Sequence, residues 1–353
     1  MATGGGTGSF TFALDLPIVR AGATAVLLHD GTVLIVGRTG YGGPTEIFRY
    51  DPTGFGSMTT IGSLDAGEDD GTVTLLPSGK VFVTQGCCTP GTATETIDPT
   101  ATPPTVTPTA NLVTPRYVDT ATLLADGRVL VVGGDNTGFA VSASAEIFNP
   151  SAAGGFGLST QIASPGTKRW WGNAVRLQND NVLIVAGATG SLQFIPQAQL
   201  FKPSLNGFVN TGSLHDSRIW ATATMLTDGR VLVAGGRGPL GQLQTAEIYD
   251  PDAGIFASTG SMAMTRESAS AVRLTDGRVL IAGGYAYDAG QLDSAEIFDP
   301  AANGGIGAFS PAPAMNVARS KAAAVLLNSG AVLFCGGETS QPPYQLTSCE
   351  LFQ

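Results

Sequence analysis

Six arginines in this chain of 353 residues stand at a fixed place, and the residues beside them have the types that recognition chemistry uses. Arg20, Arg116, Arg169, Arg218, Arg266 and Arg319 each lie eleven residues before a tight-turn position, and Glu68 takes that place in one further copy. A guanidinium is planar and carries five donors. A ring of them can clamp carboxylates, sulfates or sugar hydroxyls, or it can tie loop carbonyls into a framework. Recurrence suits the framework, so the neighbours that do not recur are the sharper pointers to a site. Tyr117 and Asp119 follow Arg116. Trp170 and Trp171 follow Arg169. His215 precedes Arg218, Trp220 follows it, and Glu267 follows Arg266. All three tryptophans of the chain fall in this zone. An indole offers a broad apolar face with one polar edge, which suits sugar stacking and interfaces, and it also fills space between packed sheets. The expected ligand contacts are therefore Arg116, Tyr117, Asp119, Arg169, Trp170, Trp171, His215, Arg218, Trp220, Arg266, Glu267 and Arg319. Carboxylates close together can exchange protons with a substrate, so Glu68, Asp70, Tyr117 and Asp119 are the groups an enzyme would use here. The run Glu68-Asp69-Asp70 also reads as an ordinary solvated loop.

The elements that must position these residues repeat along the chain. Aligning the turn gives Gly31, Gly79, Gly127, Asp180, Gly229, Gly277 and Gly330, at spacings of 48, 48, 53, 49, 48 and 53. A period near fifty with several short strands per unit signals a propeller array. In the fifth copy the pattern predicts strands over 221–226, 231–234, 245–249 and 256–259, called a to d from the inside outwards. Asp228-Gly229 makes the a–b turn, where glycine accepts positive φ. Gly235-Gly236 ends strand b where neighbouring blades crowd, and Asp250-Pro251 stops strand c. The double glycine also appears as Gly133-Gly134, Gly283-Gly284 and Gly336-Gly337. Strand d is expected near 55–61, 105–112, 155–162, 207–212, 255–260 and 306–311. The second of these lies in a Thr/Pro-rich run, read either as an edge strand, where proline is tolerated, or as an exposed O-glycosylated loop. The last copy ends on strand c, and residues 8–14 form a strand with no repeat of their own. They are expected to supply strand d of the last blade and so close the ring. In each blade the d–a and b–c connections share one face, here the top, and the variable residues beside the arginines lie there.

Composition narrows the partners. The chain is 43% hydrophobic and 13% charged, with 48 glycines and a net charge of -10. Glycine, threonine and valine leave few stretches that could sustain a helix, so the class is all-β. An acidic chain lacks the basic excess that nucleic acid requires. No apolar run reaches the roughly 18–20 residues of a membrane helix. The opening MATGGGTGS has neither a basic nor an apolar targeting segment. Cys87 and Cys88 are adjacent and read as a vicinal disulfide, a soft metal site or two buried thiols. Cys335 and Cys349 fall on neighbouring strands b and c of the last copy, where strand register decides whether they pair.

Seven copies in register resemble the kelch repeat, and the Asp-Gly-Arg-Val-Leu run before a double glycine in three of them is closest to its galactose-oxidase-like branch. The resemblance implies a seven-bladed β-propeller of four-stranded antiparallel blades, running as one domain over 1–353, with ligands or peptides taken at the top face. Enzymes of that branch hold copper with two histidines and two tyrosines. His29 and His215 are the only histidines here, and they fall on opposite faces, so neither copper nor any other cofactor is expected. The expected function is a monomeric binding module whose top funnel takes a small polar ligand, a glycan or a peptide. The alternatives are a metal-free lyase, hydrolase or cyclase using the same funnel, and a scaffold module. A secreted or cell-surface location is expected over a cytoplasmic one.

Overall fold

The computed structural model describes residues 8–18, 21–38, 45–54, 56–64, 71–84, 91–136, 140–342 and 344–353. Seven four-stranded antiparallel sheets stand around a central channel, each with its strands in the order a-b-c-d from the axis outwards. Strand a of each blade packs on strand a of both neighbours, and the last blade packs on the first. The fifth blade illustrates the build. Thr222–Met225, Val231–Ala234, Ala246–Asp250 and Ile255–Ser258 are its four strands. Every residue of Val231–Ala234 is buried, and the same holds for strand b of blades two, three, four, six and seven. A strand sandwiched between two sheets must be apolar on both faces, which is why it reads as an unbroken Val/Leu/Ile run. The core is accordingly divided among the described residues into seven clusters, each lying between one pair of adjacent blades.

The Asp-Gly-Arg turns are capped locally. Asp228 accepts from the Arg230 backbone at 3.1 Å and from its Nε at 2.8 Å, while Gly229 sits at φ 89°. In the fourth blade Asp180 holds the same left-handed position at φ 65°. The outer strands differ in extent from their sequence limits. Strand d of blade three is Leu158–Ile162, because Ala153–Gly155 is spent on a 3-10 turn. In blade two the Thr/Pro-rich run does form an edge strand, Thr105–Pro108, shorter than expected.

Phe10–Phe12 pairs antiparallel with Cys349–Phe352, so the N-terminal strand completes blade seven as the repeat count demanded. Main-chain bonds extend the pairing at both ends, from Ser9 and Gln353 to Leu16 and Thr347. The Phe10 ring lies 5.0 Å from Phe352 and 5.6 Å from Phe334. Cys335 and Cys349 face each other across strands b and c of this blade and form a disulfide, with Cα atoms 4.1 Å apart. Among the described residues no helix is long and apolar enough to cross a membrane. Cys87, Cys88, Arg20, Glu68, Asp69 and Asp70 lie outside the described residues.

Candidate functional site

The five repeat arginines among the described residues belong to a stitch between blades. Arg218 is fully buried. Its Nη1 donates to the carbonyls of Gly235 and Thr245, each at 2.8 Å, and its Nη2 to Glu247 Oε1 at 3.0 Å. Glu247 also accepts the backbone N–H groups of His215 and Asp216 at 2.8 and 3.1 Å. Arg116 repeats this with Gly133, Ser144 and Glu146, Arg266 with Gly283, Ser294 and Glu296, and Arg319 with Gly336, Ser348 and Glu350. Burial would raise the Glu146 carboxyl, but Arg116, the Val113 N–H and the Ser159 hydroxyl outweigh it and hold the group below its ordinary value. The double glycine completes the stitch. The N–H of Gly236 donates to the Arg266 carbonyl at 2.8 Å, and that of Gly284 to the Arg319 carbonyl at 2.9 Å. A Cβ on Gly235 would stand 2.5 Å from the same Arg266 oxygen, so glycine is required by contact as well as by its φ of 64°.

This placement corrects one of the two sequence readings. The guanidinium groups of Arg116, Arg169, Arg218, Arg266 and Arg319 do not face the funnel; they are spent on blade carbonyls and carboxylates. Arg169 differs from the others. Gln199 stands where they have a glutamate, and it donates to the Pro165 carbonyl at 2.6 Å instead. Arg169 bonds only to the carbonyls of Ala186 and Gln197, and burial without a counter-charge pulls its pKa down to about 10.

Two residues beyond the arginine the chain turns left-handed. Gly22, Val118, Trp171, Trp220, Ser268 and Lys321 have φ between 52° and 61°. Such a conformation is strained for bulky and β-branched residues and is kept where the surroundings impose it. Here successive blades hold it by main-chain bonds: Ser268 N–H donates to the Trp220 carbonyl, and Lys321 N–H to the Ser268 carbonyl, each at 2.9 Å. These six residues line a cavity of about 430 Å³ at the mouth of the channel. Small residues at the next position, among them Gly172, Ala221 and Ala322, leave it open. Trp170 stacks on Trp171 at 3.7 Å with rings 19° apart, and Trp171 meets Trp220 at 4.8 Å with rings 52° apart. All three indoles are half-buried. Trp171 and Trp220 form one wall of the mouth and Trp170 backs it.

The remaining candidates scatter. Tyr117 donates its hydroxyl to Asp135 at 3.2 Å, turned towards a b–c hairpin. His215 is exposed and lies 3.0 Å from Glu247 in its own loop, away from the mouth lining. Asp119 replaces the small residue that follows the left-handed position. It is buried, touches Thr84 Oγ1 at 3.4 Å and leaves Oδ2 without a partner. Desolvation outweighs the pull of Arg116 and raises its pKa to about 6. Glu267 is also buried, and desolvation raises its carboxyl as well.

Sequence reasoning missed two features. The strand-c glutamates recur 29 to 31 residues after their arginines, and that offset was available as a signal. Val118, Ser268 and Lys321 line the mouth although their types do not suggest it; the constant offset of two from the arginine would have found them.

A scan of protein-family models finds no match, and a search of curated proteins finds none. Among solved structures the chain is similar to a fungal alcohol oxidase of the AA5 family determined in complex with copper, with a TM-score of 0.79 and 17% identity over 99% of this chain and 76% of that one. The described residues contain no group of three histidine, cysteine, aspartate or glutamate side chains that could hold a metal. His29 sits at an a–b turn beside Gly79, and His215 lies on the opposite face. The two histidines therefore cannot meet at one site. At that identity, what the chain shares with the oxidase is the seven-bladed ring.

Proposed function

We propose that this propeller is a binding module whose top funnel takes a small polar ligand with one flat apolar face, of which a sugar ring is the best-fitting class. The Asp-Gly-Arg turns and double glycines suit a kelch-type unit occupying the whole chain. The observation that carries the binding reading is the wall made by Trp171 and Trp220. Two indoles in a strained backbone conformation line an open cavity, while the arginines that support them are locked away. Stacking on such a wall favours a ring with polar edges. Tryptophan fluorescence titrated with mono- and oligosaccharides tests this. Saturable quenching is expected in the native protein, with at least a tenfold loss of affinity when Trp171 and Trp220 are both changed to Ala. Unchanged affinity in that variant would sink the reading.

Asp119 favours a second reading, as an enzyme that needs no metal. Its pKa of about 6 suits a group exchanging protons near neutrality. It does not line the cavity, so the binding reading stands first. Turnover abolished by Asp119→Asn with ligand affinity retained would reverse that order.

A further inference from the structure

A second cavity, of about 250 Å³, adjoins the mouth and shares Trp220, Ser268 and Lys321 with it. It runs outward between the top loops of blades six and seven, and its far wall is Glu267, Tyr285, Gln291 and Glu338. Arg237 and Lys321 both attract the Glu267 carboxylate from a distance, and neither bonds its Oε2. Lys321 Nζ pairs with Glu338 Oε1 at 3.0 Å. Glu267 is 8% exposed, meets a hydrogen bond from Gln242, and leaves Oε2 with no partner. A carboxylate oxygen that is buried and unpartnered is costly unless something brings it a donor. Two aromatic rings, Trp220 and Tyr285, flank the same groove. An aromatic face and a carboxylate both attract a cation, and a chain with a net charge of -10 favours the approach of one.

We propose that this groove is a subsite for a protonated amine of the ligand, with Glu267 as the acceptor and Trp220 and Tyr285 as its walls. The proposal deepens the reading of the mouth as a sugar site: a ring stacked at Trp171 and Trp220 would direct an amino substituent, or the amine of the next ring, into the groove. The ligand class is then an amino sugar rather than a neutral or acidic one. Uronic acids and sulfated sugars would bring a second negative charge to the unpartnered Glu267 oxygen and be disfavoured there.

Calorimetric titration at pH 7 with a β-1,4-linked glucosamine trimer, its N-acetylated form and a glucose trimer tests it. The free-amine trimer is expected to bind at least about tenfold tighter than the other two, the size of one charge-assisted contact. Glu267→Gln is expected to bring the ratio between the free-amine and acetylated trimers to about one, whereas Glu338→Gln, on the carboxylate already paired, retains most of it. Equal binding of the three trimers by the native protein overturns the proposal, as does an equal loss of all three in Glu267→Gln. Failure of every trimer to bind instead overturns the sugar reading of the mouth. In that case benzylamine, which has no sugar ring, decides the subsite: binding to the native protein but not to Glu267→Gln keeps it, and no binding removes it.

Discussion

Among the described residues two rings circle the same channel mouth two positions apart in the repeat, and they are opposite in kind. The arginine ring, over the described residues, is nearly uniform, buried and bonded through its Nη atoms, as with Arg218 on Gly235, Thr245 and Glu247. The left-handed ring varies from glycine to valine, tryptophan, serine and lysine, and it faces the cavity. Stability is concentrated in the first ring and individuality in the second. The repetition that makes the arginines conspicuous is the mark of their being framework, while the backbone strain of their neighbours marks the lining of the cavity.

The comparison is broken most sharply by removing a framework arginine. Arg218→Met leaves Glu247 buried without its cation and is expected to cost about 3–5 kcal/mol, read from denaturant unfolding; a cost under 1 kcal/mol would refute the stitch. Next in size is Asp119→Asn. The folded-state pKa of Asp119, about 6, lies above its ordinary 3.8. The folded protein therefore keeps a proton that the unfolded chain has lost between about pH 4 and 6, and stability falls as pH rises through that window. The asparagine variant has no such fall and should be more stable than the parent at pH 8 by about 2–3 kcal/mol, with the difference vanishing near pH 3. Parallel stability curves for the two proteins would show that this carboxyl titrates normally. Arg169→Met should cost less than its counterpart in blade five, about 1–2 kcal/mol, since only hydrogen bonds to carbonyls are lost and no carboxylate is stranded. A cost equal to that of Arg218→Met would mean that the glutamate matters little. The smallest effect on stability is expected in the second ring. Trp220→Gly relieves a left-handed backbone while losing the contact with Trp171, so unfolding should change by no more than about 1 kcal/mol. Ligand quenching of the remaining fluorescence should nevertheless weaken at least tenfold.

How much of this could be read from residue types follows from the same division. The Asp-Gly turns, the unbroken apolar run of strand b and the double glycines are local signals, each bound to one backbone requirement, and they carried the ring and its closure. The arginine could be placed at the mouth but not pointed, because its direction depends on a glutamate some 30 residues away on strand c. The left-handed ring was invisible, since neither Trp171 nor Val118 nor Lys321 belongs to the types that adopt that conformation freely. Asp119 was picked out by sequence, but its raised pKa comes from burial beside Thr84, a neighbour in another blade.

Closure by Phe10–Phe12 has a mechanical side. The pairing of Phe10 with Phe352 is antiparallel, and Ser9 bonds to Gln353 just beyond it. Ser9 and Gln353 thus stand side by side at the same end of one ladder. Force that draws them apart falls on the Ser9–Gln353 rung first, then on the next, one rung at a time, in the manner of a zipper. Phe10 and Phe352 also belong to the core between blades six and seven, so opening the first rungs loosens that core with them. The closed ring therefore opens to tension at its clasp.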